Sequence, residues 1–406
     1  MYRLIIKLAW ASLNRRRSRS YLVVLMIGLC LWGLLVLDGL YDGMIAQMIR
    51  NAIRSDCGQL SVFAKGYRQD HDLAKLIVNK KIGPLLASDR RVKSFSERLL
   101  QDGLVATAHY ARNVMVYGVD LQEERRQGKL DAYLQAGKFS FGRRQRGAII
   151  GAKLAEKLKV KVGDKIILSA QDLANEVASS ALTVAGIVKT NTGLDKNAIF
   201  IARHRTRQFL MVPQGVSQIL ITLNNEARDI AALQRKLKKI GGLEVLRWDE
   251  IYPALLQSRE MMVRFNLVAS FLVFCVAGLG IFGVMLVSVL ERMREFGIML
   301  ALGTEFALVR WQVMAESFFL GVMGFLAGAG LGGGTLYYFH RHGLDLSMFS
   351  QGLDAFGMDA ITYAVIRPQY FYLALAAVIL ATMVSALLPL RILQKAKPIN
   401  AIQNII

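Results

Sequence analysis

Residues that could catalyse a reaction or bind a metal are scattered along this sequence. Of the five histidines, His71, His109, His204, His340 and His342, only the last two are neighbours. On an extended segment, the side chains of His340 and His342 could point to the same side. No further metal-ligand residue type accompanies them, and a structural zinc site needs four ligands. We interpret this pair as part of a helix-end contact.

The sequence also lacks a phosphate-binding loop, a catalytic triad and a pair of acids suited to catalysis. Its nearest approach to a P-loop is GAIIGAK at 147–153, without the G-x-x-x-x-G-K-[ST] spacing that brings amides and lysine onto phosphates. We interpret that run as a strand and a turn. Cys30 and Cys275 lie in apolar runs, which leaves Cys57 without a disulfide partner. We expect no enzyme activity, metal or cofactor in this chain.

A large excess of basic residues requires a partner or a well-hydrated surface. The chain has 51 Lys and Arg against 30 Asp and Glu, a net charge of +21. Residues 51–250 hold 34 basic and 20 acidic residues, which places +14 there. No nucleic-acid-binding motif is present, so we expect no nucleic acid as partner. Anionic lipid headgroups, an acidic protein or plain hydration remain open.

The elements that would position a site are membrane helices. Phe265–Leu290 is a run of 26 residues without a charge, and Ser317–Phe339 is a second apolar run. About twenty apolar residues cross a hydrocarbon core roughly 30 Å thick. A hydrophobic share of 54% and a mean hydropathy of +0.35 agree with membrane segments joined to a polar domain. We therefore predict two spans joined by a charged hairpin.

The hairpin, ERMREFGIMLALGTE at 291–305, has the pattern of a short amphipathic helix. Met293, Phe296 and Leu300 fall on one side at helical spacing. Gly303 stands where a helix takes a left-handed C-terminal cap, and Thr304 can begin the next helix. The other residues of this candidate site are Glu291, Arg292, Arg294, Glu295 and Gly297.

The whole chain is predicted to be a membrane α-helical protein with four spans and one large α/β or α+β domain after the first span. Its segments are 1–20, an interfacial amphipathic helix; 21–54, the first span and its extension; 55–258, the domain; 259–290, the second span; 291–316, the hairpin; 317–339, the third span; 340–367, an outer loop; 368–390, the fourth span; and 391–406, a basic tail. In the domain we predict strands at 59–64, 105–111, 113–119, 148–150, 165–169 and 181–188, and helices at 72–86, 121–134, 153–158, 204–210 and 227–240.

Basic residues near the span ends predict the orientation. Twelve lie in the first twenty residues, the hairpin and the tail, against six at the opposite ends. Because basic flanks stay in the cytoplasm, both termini and the hairpin should be cytoplasmic and the large domain extracytoplasmic. Asp38, near the outer end of the first span, either has a function or simply reaches the interface. The glycines between Gly321 and Gly334 are spaced for close helix packing, and the alternative is that they mark a flexible outer end.

Several segments resemble the MacB/FtsX/Lol group of ABC-transporter permeases, over nearly the whole chain. They are LAWASLNRRRSRSYL near the start, ERMREFGIMLALG after the second span, which is the most specific, and PLRILQKAKPINAI near the end. GAIIGAKLAEKLKVKVGDKIIL and ALTVAGIV in the domain, and GLDLSMFSQGLDAFGM with AITYAVIRP in the outer loop, are similar to the Lol-type, lipoprotein-releasing permeases.

The resemblance implies a bacterial inner-membrane permease subunit, with ATP and Mg bound by a separate cytoplasmic ABC ATPase dimer. Residues 291–303 would be the coupling helix, docking Met293, Phe296 and Leu300 in a groove of the ATPase; alternatively these side chains rest on the bilayer surface. The domain would have a porter-like and a sabre-like lobe. A second permease, identical or a paralogue, and membrane lipids would be further partners.

The cargo implied by the Lol-type segments is an outer-membrane lipoprotein lifted from the inner membrane, with a periplasmic carrier as a further candidate partner. The first alternative is a MacB-like mechanotransmitter that drives export of a peptide or small molecule. The second is an FtsX-like signalling permease that regulates cell-wall hydrolases. A domain of about 200 residues is larger than that second alternative expects.

The orientation can be tested by labelling introduced cysteines in whole cells, with the native cysteines removed. A cysteine at Ser180, in the large domain, should react with an impermeant thiol reagent. A cysteine at Ile298, in the hairpin, should stay unlabelled until the cells are opened. The opposite pattern would reverse the predicted orientation.

Overall fold

The computed structural model describes residues 2–15, 17–78, 82–128, 130–349, 352–353 and 358–395. Contacts divide the chain into two units. The helical unit consists of Met1–Met44, Arg259–Ser347 and Ile361–Ile406, and the sheet unit of Ile45–Ser258 and Met348–Ala360. The predicted architecture, membrane helices with one large α/β domain inserted after the first, is confirmed.

The described elements follow in chain order. The helices are α1 (Tyr2–Arg15), α2 (Arg17–Ala52), α3 (Tyr67–Asp70), α4 (Ile82–Ser88), α5 (Leu121–Gln127), α6 (Ala152–Leu158), α7 (Leu194–Asn197), α8 (Arg203–Phe209), α9 (Glu226–Lys238), α10 (Trp248–Ile251), α11 (Pro253–Glu291), α12 (Met293–Ala301), α13 (Phe306–His342) and α14 (Pro368–Lys395). The strands are β1 (Leu60–Ala64), β2 (Val92–Ala106), β3 (Ala111–Val119), β4 (Leu134–Gly137), β5 (Gly147–Gly151), β6 (Lys165–Gln171), β7 (Val177–Val188), β8 (Ala198–Ala202), β9 (Gln218–Leu223), β10 (Leu243–Arg247), β11 (Leu344–Asp345) and β12 (Ile361–Thr362).

Four of the described helices, α2, α11, α13 and α14, are long and apolar enough to cross a membrane. A helix satisfies its own backbone N–H and C=O groups, as hydrocarbon requires. The helices α11 and α13 extend beyond the predicted spans at both ends, because helix periodicity continues into the charged flanks. The predicted N-terminal helix is observed as α1, whose Trp10 ring lies 6.0 Å from that of Phe319 in α13. The tail beyond Lys395 lies outside the described residues.

At four positions, the structure confirms the prediction that glycines of α13 permit close packing against neighbouring helices. An added Cβ would come within 3.0 Å or less of side-chain atoms on α2 or α14 at Gly321, Gly324, Gly328 and Gly332. At Gly330 it would meet no atom of the described residues within 4 Å. Small residues thus let α13 approach α2 closely where Ile27 and Leu31 face it.

The sheet unit is built on one mixed sheet in the order β10-β1-β9-β2-β3-β8-β5-β7-β4, with β6 paired to β2 and β7. The long strand β2 pairs β9 along Val92–Arg98 and β3 along Leu99–Ala106. One hydrophobic core includes Phe200 and Leu233, and a second includes Ile150 and Leu168. The strand β2 therefore connects two differently packed regions of the sheet.

The predicted helix at 72–86 is wrong over its described first half. Asp72 instead begins a turn, in which its Oδ1 accepts from Ala74 N at 2.9 Å. Ile77 then forms a β-bridge with Val216. Local side-chain bonding by Asp and a distant pairing partner override the helical period here. Helix α4 begins only at Ile82.

Two further predicted elements are too long. The strand at 105–111 ends at Ala106, because Thr107 N donates to Tyr110 O at 2.8 Å and turns the chain into β3. The helix at 121–134 ends at Gln127 before Gly128, and Leu134 begins β4. The alternation of apolar and polar residues also failed to predict β4, β8, β9, β10 and the first half of β2. These segments form strands because they pair with segments distant in the sequence.

Candidate functional site

The hairpin helix α12 ends, as predicted, with a glycine in the left-handed region. Gly303 has a φ of +92°. Its N–H donates to Leu300 O at 3.1 Å, and Thr304 N–H donates to Met299 O at 3.0 Å. This pair of bonds is the Schellman motif, which satisfies carbonyls that the helix leaves open. The sharp end directs the chain into α13, which begins two residues after Thr304.

The apolar side of α12 faces the interior of the helical unit. Met293 is 7% exposed and Phe296 is 1% exposed. Both belong to a core that also contains Leu31 and Val313, and Leu300 packs against it. The burial of Met293 and Phe296 corrects the expectation that these two side chains dock in a partner, whereas Leu300 is only half-buried. An amphipathic pattern identifies the apolar side but does not say whether lipid, a partner or the chain itself covers it.

A buried ion pair holds the start of α12 to α13 and α1. Arg292 Nη1 donates to Glu316 Oε1 at 2.7 Å and to Ser12 Oγ at 2.9 Å. The Arg292 and Glu316 side chains are 12% and 6% exposed. The guanidinium also lies over the Phe296 ring, 4.8 Å from its centroid. Because removing one partner of a buried pair costs about 3–5 kcal/mol, this contact fixes the position of the hairpin.

A second ion pair joins the start of α2 to the end of α11. Arg19 Nη1 donates to Glu291 Oε2 at 2.7 Å, and Arg19 Nη2 donates to the other carboxylate oxygen. The side chains are 41% and 38% exposed, so solvent screens the pair and it contributes little to stability. Its bidentate geometry still defines how the two helix ends face each other.

The partners in these ion pairs were not recognised from the sequence. Glu316 and Arg19 lie at the margins of long apolar runs, where charged residues commonly mark the membrane boundary. Arg19 pairs with Glu291, hundreds of residues later in the chain. Glu316 pairs with Arg292, which lies outside its own helix. The only sequence signal was a charge of the right sign at each margin.

The opposite side of α12 is exposed. Arg294 and Glu295 are exposed, Ile298 is 46% exposed and Leu302, just after the helix, is 82% exposed. Arg294, Ile298 and Leu302 are spaced by four residues and form one stripe. Gly297 is buried on the inner side. A rigid helix that presents apolar side chains flanked by charges is suited to docking in a groove of another protein.

The histidine pair and the GAIIGAK run were the other stretches considered for chemistry. Among the described residues, no group of three or more His, Cys, Asp or Glu is placed to hold a metal ion. His340 Nδ1 donates to Ala364 O at 2.8 Å, whereas the His342 ring stacks on Tyr338 with centroids 4.6 Å apart. The two rings thus make separate helix-end contacts. The GAIIGAK run forms β5, as predicted, but the strand passes directly into α6 at Ala152 and not into the predicted turn.

Two family models match the chain. The MacB-like periplasmic core domain matches residues 20–240, more than half of the 406 residues, and the FtsX-like permease C-terminal region matches 267–398. The second match contains the hairpin, the part of α11 from residue 267 onward and all of α13. The chain therefore belongs to the MacB/FtsX-like family of ABC-transporter permeases.

The chain spans about a third or less of the length of the curated relatives it matches. It is 28% identical over 204 residues to the macrolide export ATP-binding/permease protein MacB of Nitrobacter winogradskyi, covering 47% of this chain and 31% of that protein. It is 34% identical over 73 residues to the protein of the same name from Hyphomonas neptunium, covering 18% and 11%.

Solved structures of two outer domains are similar to this chain. The periplasmic region of MacB from Actinobacillus actinomycetemcomitans aligns with a TM-score of 0.35 at 15% identity, covering 50% of this chain and 95% of that one. The extracellular domain of the transporter YknZ from Gram-positive bacteria aligns with a TM-score of 0.31 at 15% identity, covering 46% and 99%.

The burial of α12 can be tested by comparing two truncations. Phe296→Ala should lower stability by about 3–5 kcal/mol, because it leaves a cavity in the core. Ile298→Ala, two residues away on the exposed side, should change it by about 0.5 kcal/mol or less. Heating the purified protein in detergent and measuring the monodisperse fraction compares them. Equal losses would contradict the observed direction of the apolar side.

Proposed function

We propose that this chain is the permease of a MacB-type ABC exporter, which transmits ATP hydrolysis on the cytoplasmic side to its extracytoplasmic sheet unit. The observation that carries the proposal is the geometry of α12. This helix is held rigidly by Arg292 and Glu316, while Ile298 and Leu302 are left exposed for a partner. Membership of the permease family supports an ABC ATPase as that partner.

The ion pairs of the hairpin explain how docking becomes movement. An ATPase that binds the exposed side of α12 pulls or pushes the helix as its nucleotide sites close. Because Arg292 ties this region to α1 and α13, and Arg19 ties α2 to α11, the displacement passes into helices rather than into a loose loop. ATP and Mg bind to the ATPase, and the residues of this chain contribute docking and transmission.

For the cargo, we infer a small molecule or peptide that is already outside the inner membrane. The two relatives described above carry macrolide export in their names, which favours export over lipoprotein release. Lipoprotein release and a periplasmic carrier are supported only by the Lol-type segments. An FtsX-like signalling role without a transported substrate is a third outcome that the experiments below distinguish.

The docking side of α12 predicts where the ATPase contact can be broken. Leu302→Asp should weaken the complex by about 1–3 kcal/mol, roughly 5- to 150-fold, because it places a charge at an apolar anchor. Val177→Asp is the matched control, since Val177 is 74% exposed on the sheet unit. Co-purification of the ABC ATPase with each variant measures the effect. An unchanged complex for Leu302→Asp would contradict the docking site, and absence of any ATPase from the wild-type chain would contradict the proposed function.

Depletion of the chain separates the cargo classes. An exporter should leave cells more sensitive to macrolides or antimicrobial peptides, with outer-membrane lipoproteins sorted normally. Lipoproteins retained in the inner membrane, measured by membrane fractionation, would instead show lipoprotein release. Loss of cell-wall hydrolase activity without either effect would show signalling. Complementation with the Val177→Asp variant controls for expression.

A further inference from the structure

An open cleft in the sheet unit is lined by basic and amide side chains. Its volume is about 630 Å³, within the range of small-molecule sites. Three elements, β3, α6 and α7, supply most of its wall, and their residues there include Arg112, Asn113, Lys157, Gly193, Lys196 and Asn197. Among the residues that the structure describes, no acidic side chain lines the cleft. The cleft therefore collects three positive charges.

The pairing of β3 with β8 brings two of these elements together. The strands are parallel, and Met115 of β3 pairs Ala198 of β8. Ala198 directly follows α7, which ends at Asn197. Arg112, three residues before Met115, therefore lies beside the end of α7, where Lys196 is located. The register of one strand pair thus sets the first side of the cleft against the second.

Helix α6 brings its lysine to the same place. Side chains alternate along a strand, so Arg112 shares a face of β3 with Val114. Val114 is buried in one hydrophobic core with Leu154 and Leu158 of α6. Lys157, next to Leu158, is exposed and reaches the cleft at the edge of this core. The cations therefore converge on a packed scaffold.

The three cations have no carboxylate partner within the described parts of the chain. Lys157 and Lys196 make no ion pair there, and the Arg112 guanidinium donates only to the neighbouring Ala111 O, at 3.1 Å. Like charges at one site repel each other unless water or a counter-charge screens them. An anion bound in the cleft would relieve that repulsion.

The acids next to the two lysines in sequence do not neutralise the cleft. The Asp195 carboxylate accepts from Thr190 N at 2.7 Å and from Asn191 N at 2.8 Å, and the residue is 1% exposed. It therefore stabilises the loop before α7. Glu156 adjoins Lys157 on α6, where consecutive side chains do not face each other, and it does not line the cleft.

We propose that this cleft binds a phosphate monoester. Such a group has a charge of about −1.5 to −2 at neutral pH and three strong acceptor oxygens. The Arg112 guanidinium offers a bidentate fork to phosphate, whereas Lys157 and Lys196 supply point charges. The side-chain amides of Asn113 and Asn197 donate to further oxygens. A single carboxylate would leave most of the positive charge without a partner, and the volume accommodates an organic group attached to the phosphate.

Phosphate monoesters occur both in soluble compounds and in lipid headgroups, and the chemistry of the cleft suits both. The site lies within the sheet unit alone, so it goes beyond the proposed function and requires neither an ATPase nor an exported cargo. Glycerol 3-phosphate and short-chain dihexanoyl phosphatidic acid carry the same phosphate on glycerol and differ in their acyl chains. Tighter binding of the second compound at the cleft indicates a lipid source, and equal binding indicates a soluble one.

The test is isothermal titration calorimetry of the full chain in phosphatidylcholine nanodiscs with each of these two probes. Saturable binding that weakens with added salt is expected. Lys196→Gln should lower the affinity roughly tenfold or more, because it removes one charge-assisted hydrogen bond. Gly193→Glu should lower it at least as much, because it adds a carboxylate to the wall. Gly193 has a φ of −55°, and an added Cβ there meets no atom of the described residues within 4 Å, so the fold tolerates the change.

Two control variants make the same chemical changes elsewhere on the sheet unit. Lys93→Gln removes an exposed lysine from β2, and Gly241→Glu adds a carboxylate at another glycine where a Cβ meets no described atom within 4 Å. Both variants should keep the wild-type affinity, because neither residue lines the cleft. Binding that persists unchanged in Lys196→Gln and Gly193→Glu comes from elsewhere in the protein or from the lipid and is subtracted.

The possible outcomes decide the proposal. If neither probe binds the wild type saturably, the cleft is a hydrated basic surface and the proposal is wrong. If Lys196→Gln and Gly193→Glu bind both probes as tightly as the wild type, the assigned location is wrong. Equal losses in Lys93→Gln and Gly241→Glu would show attraction by the net charge of the sheet unit, which also overturns the site. Succinate, a dianion without phosphorus, should bind more weakly, and equal affinity for it would contradict the phosphate assignment.

Discussion

The ion pair between Arg292 and Glu316 is the contact on which the hairpin depends. A guanidinium in this position has little access to water, so a carboxylate from another helix must neutralise it. Glu316 does so from α13, and Ser12 of α1 accepts from the same nitrogen. The path of the chain between two spans is therefore set by one cation with two fixed partners. With its apolar side buried beneath this pair, α12 can present only its other side to a partner.

Most of the helical unit could be predicted, because its signals are local. Uncharged runs predict the spans, the helical spacing of Met293 and Phe296 predicts α12, and Gly303 predicts its C-terminal cap. The direction of the apolar side could not be predicted. Burial by lipid, by an ATPase or by α2 and α11 produces the same pattern, since all three select for apolar side chains at the same spacing. Deciding among them required the contacts of the core.

The sheet unit was less predictable because its strands depend on distant partners. β9 and β10 are five or six residues long and lie beside β1 through pairings that span well over a hundred residues. The buried residues Arg98 and Glu124 look like ordinary surface charges in sequence, because Arg98 follows Glu97 and Glu124 lies among polar residues. Only the fold shows that neither reaches solvent. Charge type alone thus fails to distinguish a hydrated residue from a buried partner.

The same physical device recurs at both ends of α2 and α11. At one end an exposed Arg19–Glu291 pair joins them, and at the other Tyr252 bonds to Asp56 beside the buried Arg98–Glu124 pair. Apolar packing alone tolerates small slides of one helix along another, because dispersion contacts are non-directional and easily exchanged. Bidentate and charge-assisted hydrogen bonds tolerate such slides poorly, since their energy depends on distance and angle. Directional polar contacts at helix ends therefore define the register of helices more sharply than the apolar side chains between them.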